Sequence, residues 1–244
     1  MKRVVITGLG ALTPIGNNIE EFWKNLLAGK SGADYITKFD YTNFKTHFAC
    51  ELKDFKAEEH FDRKEMRKMD LVSQYALVAT QEAITDAKIN FSELNTKRIG
   101  VIWGSGNGGV SSFENEVSEF AKGNGTPRFN PFFVPKTLVD TTSGLISIKH
   151  GLKGINFTTI SACASANTAL IDAFNYIRWG KVDMMISGGS EAPICQSLIG
   201  GFNALKALST HNENPQIASR PFDKNRDGFV MGEGAGAFIL EEYE

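Results

Sequence analysis

Three cysteines, Cys50, Cys163 and Cys195, are the side chains in this sequence best suited to nucleophilic chemistry. They lie far apart, with no CxxC pair and no clustered histidines, so neither a disulfide framework nor a zinc site is indicated. Any cysteine chemistry is that of a free thiol. Cys163 follows an extended, β-branched run, Phe157 to Ser161, and opens a helical pattern in which Ala166, Leu170, Phe174 and Ile177 share one face before Gly180 stops it. That places the thiol at a helix N-terminus. The unpaired amides and the positive end of the helix dipole there favour the thiolate, and the same amides can help bind a developing oxyanion. Position alone leaves open the usual fate of a free cysteine, a buried structural thiol. The small neighbours Ala162, Ala164, Ser165 and Ala166 favour the nucleophile, because they leave room for a substrate. Cys50 and Cys195 lack such a setting and read as structural, and His47, His60, His150 and His211 read as surface or structural residues.

The elements that must position Cys163 begin with Arg3 to Thr7, a buried first strand closed by Gly8-Leu9-Gly10. Asn18 with Glu21 makes a capping-box pattern, then Phe22, Leu26 and Leu27 share a helical face and Gly29 ends the helix near Ala28. Residues 30 to 62 have no clear period. From 63 to 88, Met66, Met69, Tyr75, Ala76, Ala79, Ala83 and Ala87 predict one long helix with a basic beginning. Arg98 to Trp103 is a second strand, Ser111 to Lys122 a short acidic helix, and Phe157 to Ser161, Met184 to Ser187 and Ala235 to Glu241 three more strands. Helical stretches between the first four strands predict an α/β fold with a mainly parallel sheet covered on both faces.

At 244 residues with 42% apolar side chains, the chain can bury a sizeable core. A formal charge of −2 supplies no field that draws it to nucleic acid or membrane. Its N-terminal apolar run is too short for a signal peptide and no run approaches membrane-spanning length, which makes the cytoplasm the default. Gly104-Ser-Gly-Asn-Gly-Gly109 satisfies GxGxxG after a strand, yet the following helix leads into the loop Gly123 to Pro131 and not into a second parallel strand. This loop, Gly8-Leu9-Gly10 and Gly232 to Gly236 therefore read as backbone-packing sites, and no cofactor or metal is expected.

Several segments together resemble the elongating β-ketoacyl-ACP synthases of the thiolase superfamily: RVVITGLGALTPIGN, NPFFVPKTLVD, TTISACASAN, ISGGSEA and ALSTHNENPQIASRPFDKNRDGFVMGEGAGAFILEE. The resemblance covers essentially the whole chain. It implies one half of a thiolase-like fold over residues 1–244, with five strands in the order βαβαβαββ, and Cys163 as the acyl-carrying nucleophile. It further implies that Phe202 lines the acyl pocket, and that Phe133 and Val134 reach the pocket of the other subunit of a homodimer. Without the resemblance these three read as core. Asn107 matches a position at the base of the acyl channel that is commonly bulky and apolar. An amide there leaves the acyl-length preference open, because an unpaired amide against methylene is costly.

The implied partner is acidic acyl carrier protein (ACP). Lys64, Arg67 and Lys68, spaced to share a helix face, match its docking surface together with Arg128 and Lys206. The implied reaction is ping-pong formation of 3-oxoacyl-ACP from acyl-ACP and malonyl-ACP with loss of carbon dioxide. Two histidines and a lysine that this reaction needs belong to the second half of the family's fold, which is absent here, so residues 1–244 alone are expected to be inactive, poorly stable and truncated. A polyketide or aryl polyene ketosynthase, and a noncatalytic partner subunit, are the alternatives, the second disfavoured by the presence of Cys163.

Overall fold

The computed structural model describes residues 1–243. Seven strands and eight helices follow in chain order: β1 (Val4–Leu12), α1 (Ile19–Leu27), β2 (Asp34–Tyr35), β3 (Phe48–Ala49), α2 (Arg63–Met66), α3 (Leu71–Asp86), β4 (Ile99–Gly104), α4 (Val110–Lys122), α5 (Phe133–Thr137), α6 (Thr141–His150), β5 (Asn156–Thr159), α7 (Ser165–Arg178), β6 (Met184–Glu191), α8 (Gln196–Ala204) and β7 (Gly234–Glu242). Five strands form one sheet in the order β1-β7-β6-β4-β5, and β2 pairs with β3 apart from it. β4 is parallel to β5 and β6, whereas β7 runs antiparallel to β6 and β1. Four strands thus point one way and β7 alone is reversed, a mixed and mainly parallel sheet as expected. The expected βαβαβαββ order lacked α8, which separates the last two strands.

Strand alternation sorts the core into two layers. Val101 and Trp103 of β4, Ile186 of β6 and Ile239 of β7 pack with α3 and with Ile146 of α6. Ile102, Met185 and Leu240, one residue out of phase, pack with Ala169, Ala173 and Ile177 of α7 on the other face. A third cluster, including Ile36, Ile199, Leu208 and Met231, lies under β2, β3 and α8.

Two expectations are corrected and a third is refined. β1 does not end at Gly8 but continues to Leu12 as an edge strand with a register shift between Ile6 and Gly8. Its glycines let it lie against α3: a Cβ on Gly8 or Gly10 would strike the carbonyl oxygen of Ala83 or Ala79. Two amides of its free edge are capped from α3, where Asp86 accepts from Leu9 N (2.9 Å) and Glu82 from Ala11 N (2.8 Å), which makes that part of the edge a poorer template for a foreign strand. Second, residues 63 to 88 are two helices. Asp62 and Glu65 form a capping box on the four-residue α2, and Asp70 caps α3 by accepting from Val72 N at 3.0 Å. An aspartate offering a better cap than a continued helix divides the run. Third, α1 has the predicted limits, with Asn18 Oδ1 accepting from Glu21 N at 2.8 Å, but Phe22 is half-buried, Leu26 is exposed and Leu27 is 70% exposed. The periodicity located the helix without identifying what covers its apolar face.

Candidate active site

Cys163 lies between the end of β5 and the start of α7, one residue before the N-cap Ala164. The chain reverses there on Ala162, whose φ of +50° is a left-handed conformation costing an alanine about 1–2 kcal/mol. Ser165 holds it. Its hydroxyl donates to Ala162 O (2.7 Å) and accepts from Ser161 N (2.9 Å), while Thr159 Oγ1 donates to Ser165 O (2.8 Å). Two further bonds close the turn, Ala164 N to Ser161 O (3.0 Å) and Ser165 N to Ala162 O (3.2 Å). The first two amides that sequence reasoning offered to an oxyanion are therefore committed to the turn itself.

Glycine at the strand ends lets the start of α7 sit directly on the sheet. A Cβ on Gly104 would strike the Ser165 and Ala166 backbone, and one on Gly189 would lie 2.7 Å from Ala166 Cβ. The GxGxxG stretch is thus partly a seat for the helix that follows Cys163, which supports its reading as packing. The exposed Cys163 opens on a cavity of about 550 Å³, whose lining includes Gly10 and Leu12 of β1, Gly106, Glu191, and Glu233 with Gly236 at the start of β7. A larger groove of about 610 Å³, bordered by His60, Gln81 and Lys149, shares no lining residue with it and holds no cysteine, so the smaller cavity is the candidate site. Burial pushes the Cys50 and Cys195 thiols up, which keeps both protonated and sets them apart from the exposed Cys163.

Two carboxylates that sequence reasoning missed border the cavity. Glu191, at the end of β6, accepts from Ser105 Oγ (2.7 Å) and Gly106 N (2.8 Å). Glu233 is buried, accepts from Leu52 N (2.9 Å) and pairs with Lys38 Nζ. Tyr75 lies beside this pair, and burial together with the Glu233 and Asp70 charges pushes its hydroxyl far above the usual phenol range. Neither glutamate sits in a pattern that marks it, since both partners are distant in sequence.

The other predicted residues are dispersed. Asn107 is exposed and donates from Nδ2 to Glu191 Oε2 at 3.3 Å, adjoining the cavity through Gly106. Phe202 lies outside the cavity, edge-on to Phe229 with ring centroids 5.4 Å apart. Phe133 stacks on Phe113 and Phe129, and Val134 beside it is 61% exposed. Lys64, Arg67, Lys68, Arg128 and Lys206 are all exposed. The expected single helix face for the first three does not form, because α2 ends at Met66 and leaves Arg67 as its C-cap with Lys68 beyond, its ammonium 5.9 Å from the Phe132 ring centroid. Among the described residues no group of three or more His, Cys, Asp or Glu side chains could hold a metal ion, and no helix is long and apolar enough to cross a membrane.

The sequence matches the family model of the β-ketoacyl synthase N-terminal domain over residues 1–244. The chain belongs to the β-ketoacyl synthase family. It is 47% identical over 243 residues, the whole of this chain and 58% of the relative, to 3-oxoacyl-[acyl-carrier-protein] synthase 2 of Staphylococcus aureus strain COL. The chain thus spans a little under three fifths of the length of that curated relative. Among solved structures it superposes on a β-ketoacyl synthase from Burkholderia phymatum with a TM-score of 0.88 and 36% identity, covering 100% of this chain and 60% of that one. A type II polyketide ketosynthase in complex with its acyl-carrier protein matches with a TM-score of 0.80 and 32% identity over 99% of this chain and 58% of that one. The thiolase-like α/β fold expected from the sequence is the fold observed.

Proposed function

We propose that the protein is a 3-oxoacyl-ACP synthase of fatty acid elongation and that Cys163 is its nucleophile. The observation that carries this reading is an exposed thiol on a left-handed turn, opening on a glycine-walled cavity, in a chain 47% identical over its whole length to such a synthase. Cys163 Sγ attacks the thioester carbonyl of acyl-ACP, the carrier's thiol leaves with a proton, and the acyl group stays on sulfur. Malonyl-ACP then loses carbon dioxide, and its carbanion attacks the acyl carbonyl. The products are 3-oxoacyl-ACP and the free Cys163 thiol. The two histidines and the lysine that stabilise the enolate in this family lie outside residues 1–244, which form one of two similar halves and are inactive alone. Asn107 adjoins the acyl pocket, Phe202, which lies outside the Cys163 cavity, is assigned to the pocket by the family resemblance alone, Phe133 and Val134 reach that of the second subunit of a homodimer, and the exposed Lys64, Arg67, Lys68, Arg128 and Lys206 receive the acidic carrier in the cytoplasm.

The test is intact mass. Acyl-ACP should add one acyl group to the full-length protein, Cys163→Ala should remove that adduct, and malonyl-ACP should then release 3-oxoacyl-ACP. An adduct on another residue, or none, overturns the reading. The likeness to a polyketide ketosynthase supports a second reading with the same nucleophile. Preference for a polyketide intermediate over a saturated acyl donor would favour it.

A further inference from the structure

We propose that Glu191 is a positioning residue that sets acyl-chain selectivity by fixing one wall of the Cys163 cavity. This rests on the function proposed above and names a specificity determinant of the same site. The wall is the turn between β4 and α4, whose Ser105 and Gly106 line the cavity together with Cys163 and Glu191. Both carboxylate oxygens of Glu191 are spent on that turn. Oε1 accepts from Ser105 Oγ at 2.7 Å and from Asn107 N at 3.4 Å, and Oε2 accepts from Gly106 N at 2.8 Å and from Asn107 Nδ2 at 3.3 Å. A carboxylate beside a largely apolar cavity is costly unless its lone pairs are occupied, and here one turn occupies them.

The geometry leaves the turn no slack. A Cβ on Gly106 would lie 2.8 Å from Glu191 Oε2 and 3.5 Å from Ala162 O, so turn, carboxylate and nucleophile elbow are in contact. On the far side, a Cβ on Gly108 would lie 3.0 Å from Thr137 O and 3.1 Å from Val139 Cγ2. Ser105 Oγ in turn accepts from Gly108 N at 3.1 Å. The turn is braced between Glu191 and residues 137–139. Glu191 also turns the Asn107 amide onto itself, which resolves the difficulty of an amide bordering a methylene chain. Without Glu191, four backbone or side-chain donors lose their acceptor, the volume it occupied joins the cavity, and the wall is braced on one side only.

The experiment measures acylation of Cys163 in the full-length protein by a series of acyl-pantetheine thioesters of increasing chain length, with thermal melting in parallel. In Glu191→Ala, the ratio of kcat/KM between the preferred donor and one two carbons longer should fall about tenfold, since a misfitted methylene is worth roughly that much or more. Glu191→Gln keeps the side chain's volume and one accepting oxygen, so it serves Ser105 or Gly106 but not both, and should shift the profile in the same direction by less than Glu191→Ala. Ser105→Ala, which removes one leg and leaves Glu191 in place, should shift the profile in the same direction by less, and reports on the wall if Glu191→Ala does not fold. An unchanged profile in both alanine variants, or a parallel fall for every donor, overturns the inference. Absence of acylation in the wild-type protein would instead remove the function on which it rests.

Discussion

Ser165→Ala tests whether the Cys163 turn is held by its neighbour or is intrinsic to the local chain. The hydroxyl makes two bonds, to Ala162 O and from Ser161 N, each contributing about 0.5–1.5 kcal/mol net, so the substitution removes about 1–3 kcal/mol. The left-handed Ala162 opposes it with about 1–2 kcal/mol of strain. Because the two terms are of similar size, losing the first lets the second relax, and Cys163 moves out of position. Melting temperature should fall by about 3–10 °C for a chain of this size. Acylation of Cys163 by an acyl thioester, followed by intact mass, should slow far more, on the order of a hundredfold, the usual consequence of displacing a reacting group by about 1 Å. Ala162→Gly removes the strain that drives the turn apart, so the same serine substitution in that background should slow acylation by less, with a coupling of about 1 kcal/mol in the cycle of rates. A Ser165→Ala protein that melts early and acylates at the wild-type rate would refute the reasoning, as would additive single substitutions.

Two further outcomes are expected. Lys38→Met strands the fully buried Glu233 carboxylate and should cost about 3 kcal/mol in urea unfolding, whereas adding Glu233→Gln should restore most of the loss; equal stability of the two variants would contradict a buried pair. His150, partly buried against Phe91 with no partner for Nε2, has its pKa lowered to about 4, first by burial and then by Lys149. Below the unfolded value of about 6.5 the unfolded chain takes a proton that the folded one refuses, so stability is full above that pH and is lost as pH falls toward 4. After allowance for solvent screening the loss is about 1–2 kcal/mol. Melting at stepped pH should show a smaller loss in His150→Gln, and identical curves would exclude this histidine as the cause.

What could be read from the sequence was local. The caps at Asn18 and the stop at Gly180, the strands after Arg98 and before Glu241, and the helix behind Cys163 rest on periods and punctuation within a few residues. The errors arose where tertiary contact overrode that pattern. β1 runs through Gly8 and Gly10 because α3 presents Ala79 and Ala83 to receive their backbone, and a glycine pair read alone signals a turn. Asp70 falls inside the single helix predicted over 63 to 88, yet it serves two elements at once, capping α3 and accepting from Ser112 N at 2.9 Å.

The site divides in the same way. Cys163 was legible because its setting at the start of a helix is local in sequence, but the residues proposed to shape its cavity act across the fold. Glu191 meets its partners 84 to 86 residues away, and Glu233 meets Lys38 at a separation of 195. No periodicity encodes such pairs. What the sequence does carry is glycine where these long-range contacts converge, at Gly104, Gly106 and Gly189, since a side chain at any of them would occupy space that the elbow, the carboxylate or the helix requires. A glycine-rich strand end without the acidic strand that a dinucleotide site needs therefore signals close approach of protein backbone, and in this chain the backbone that approaches is the one bearing Cys163.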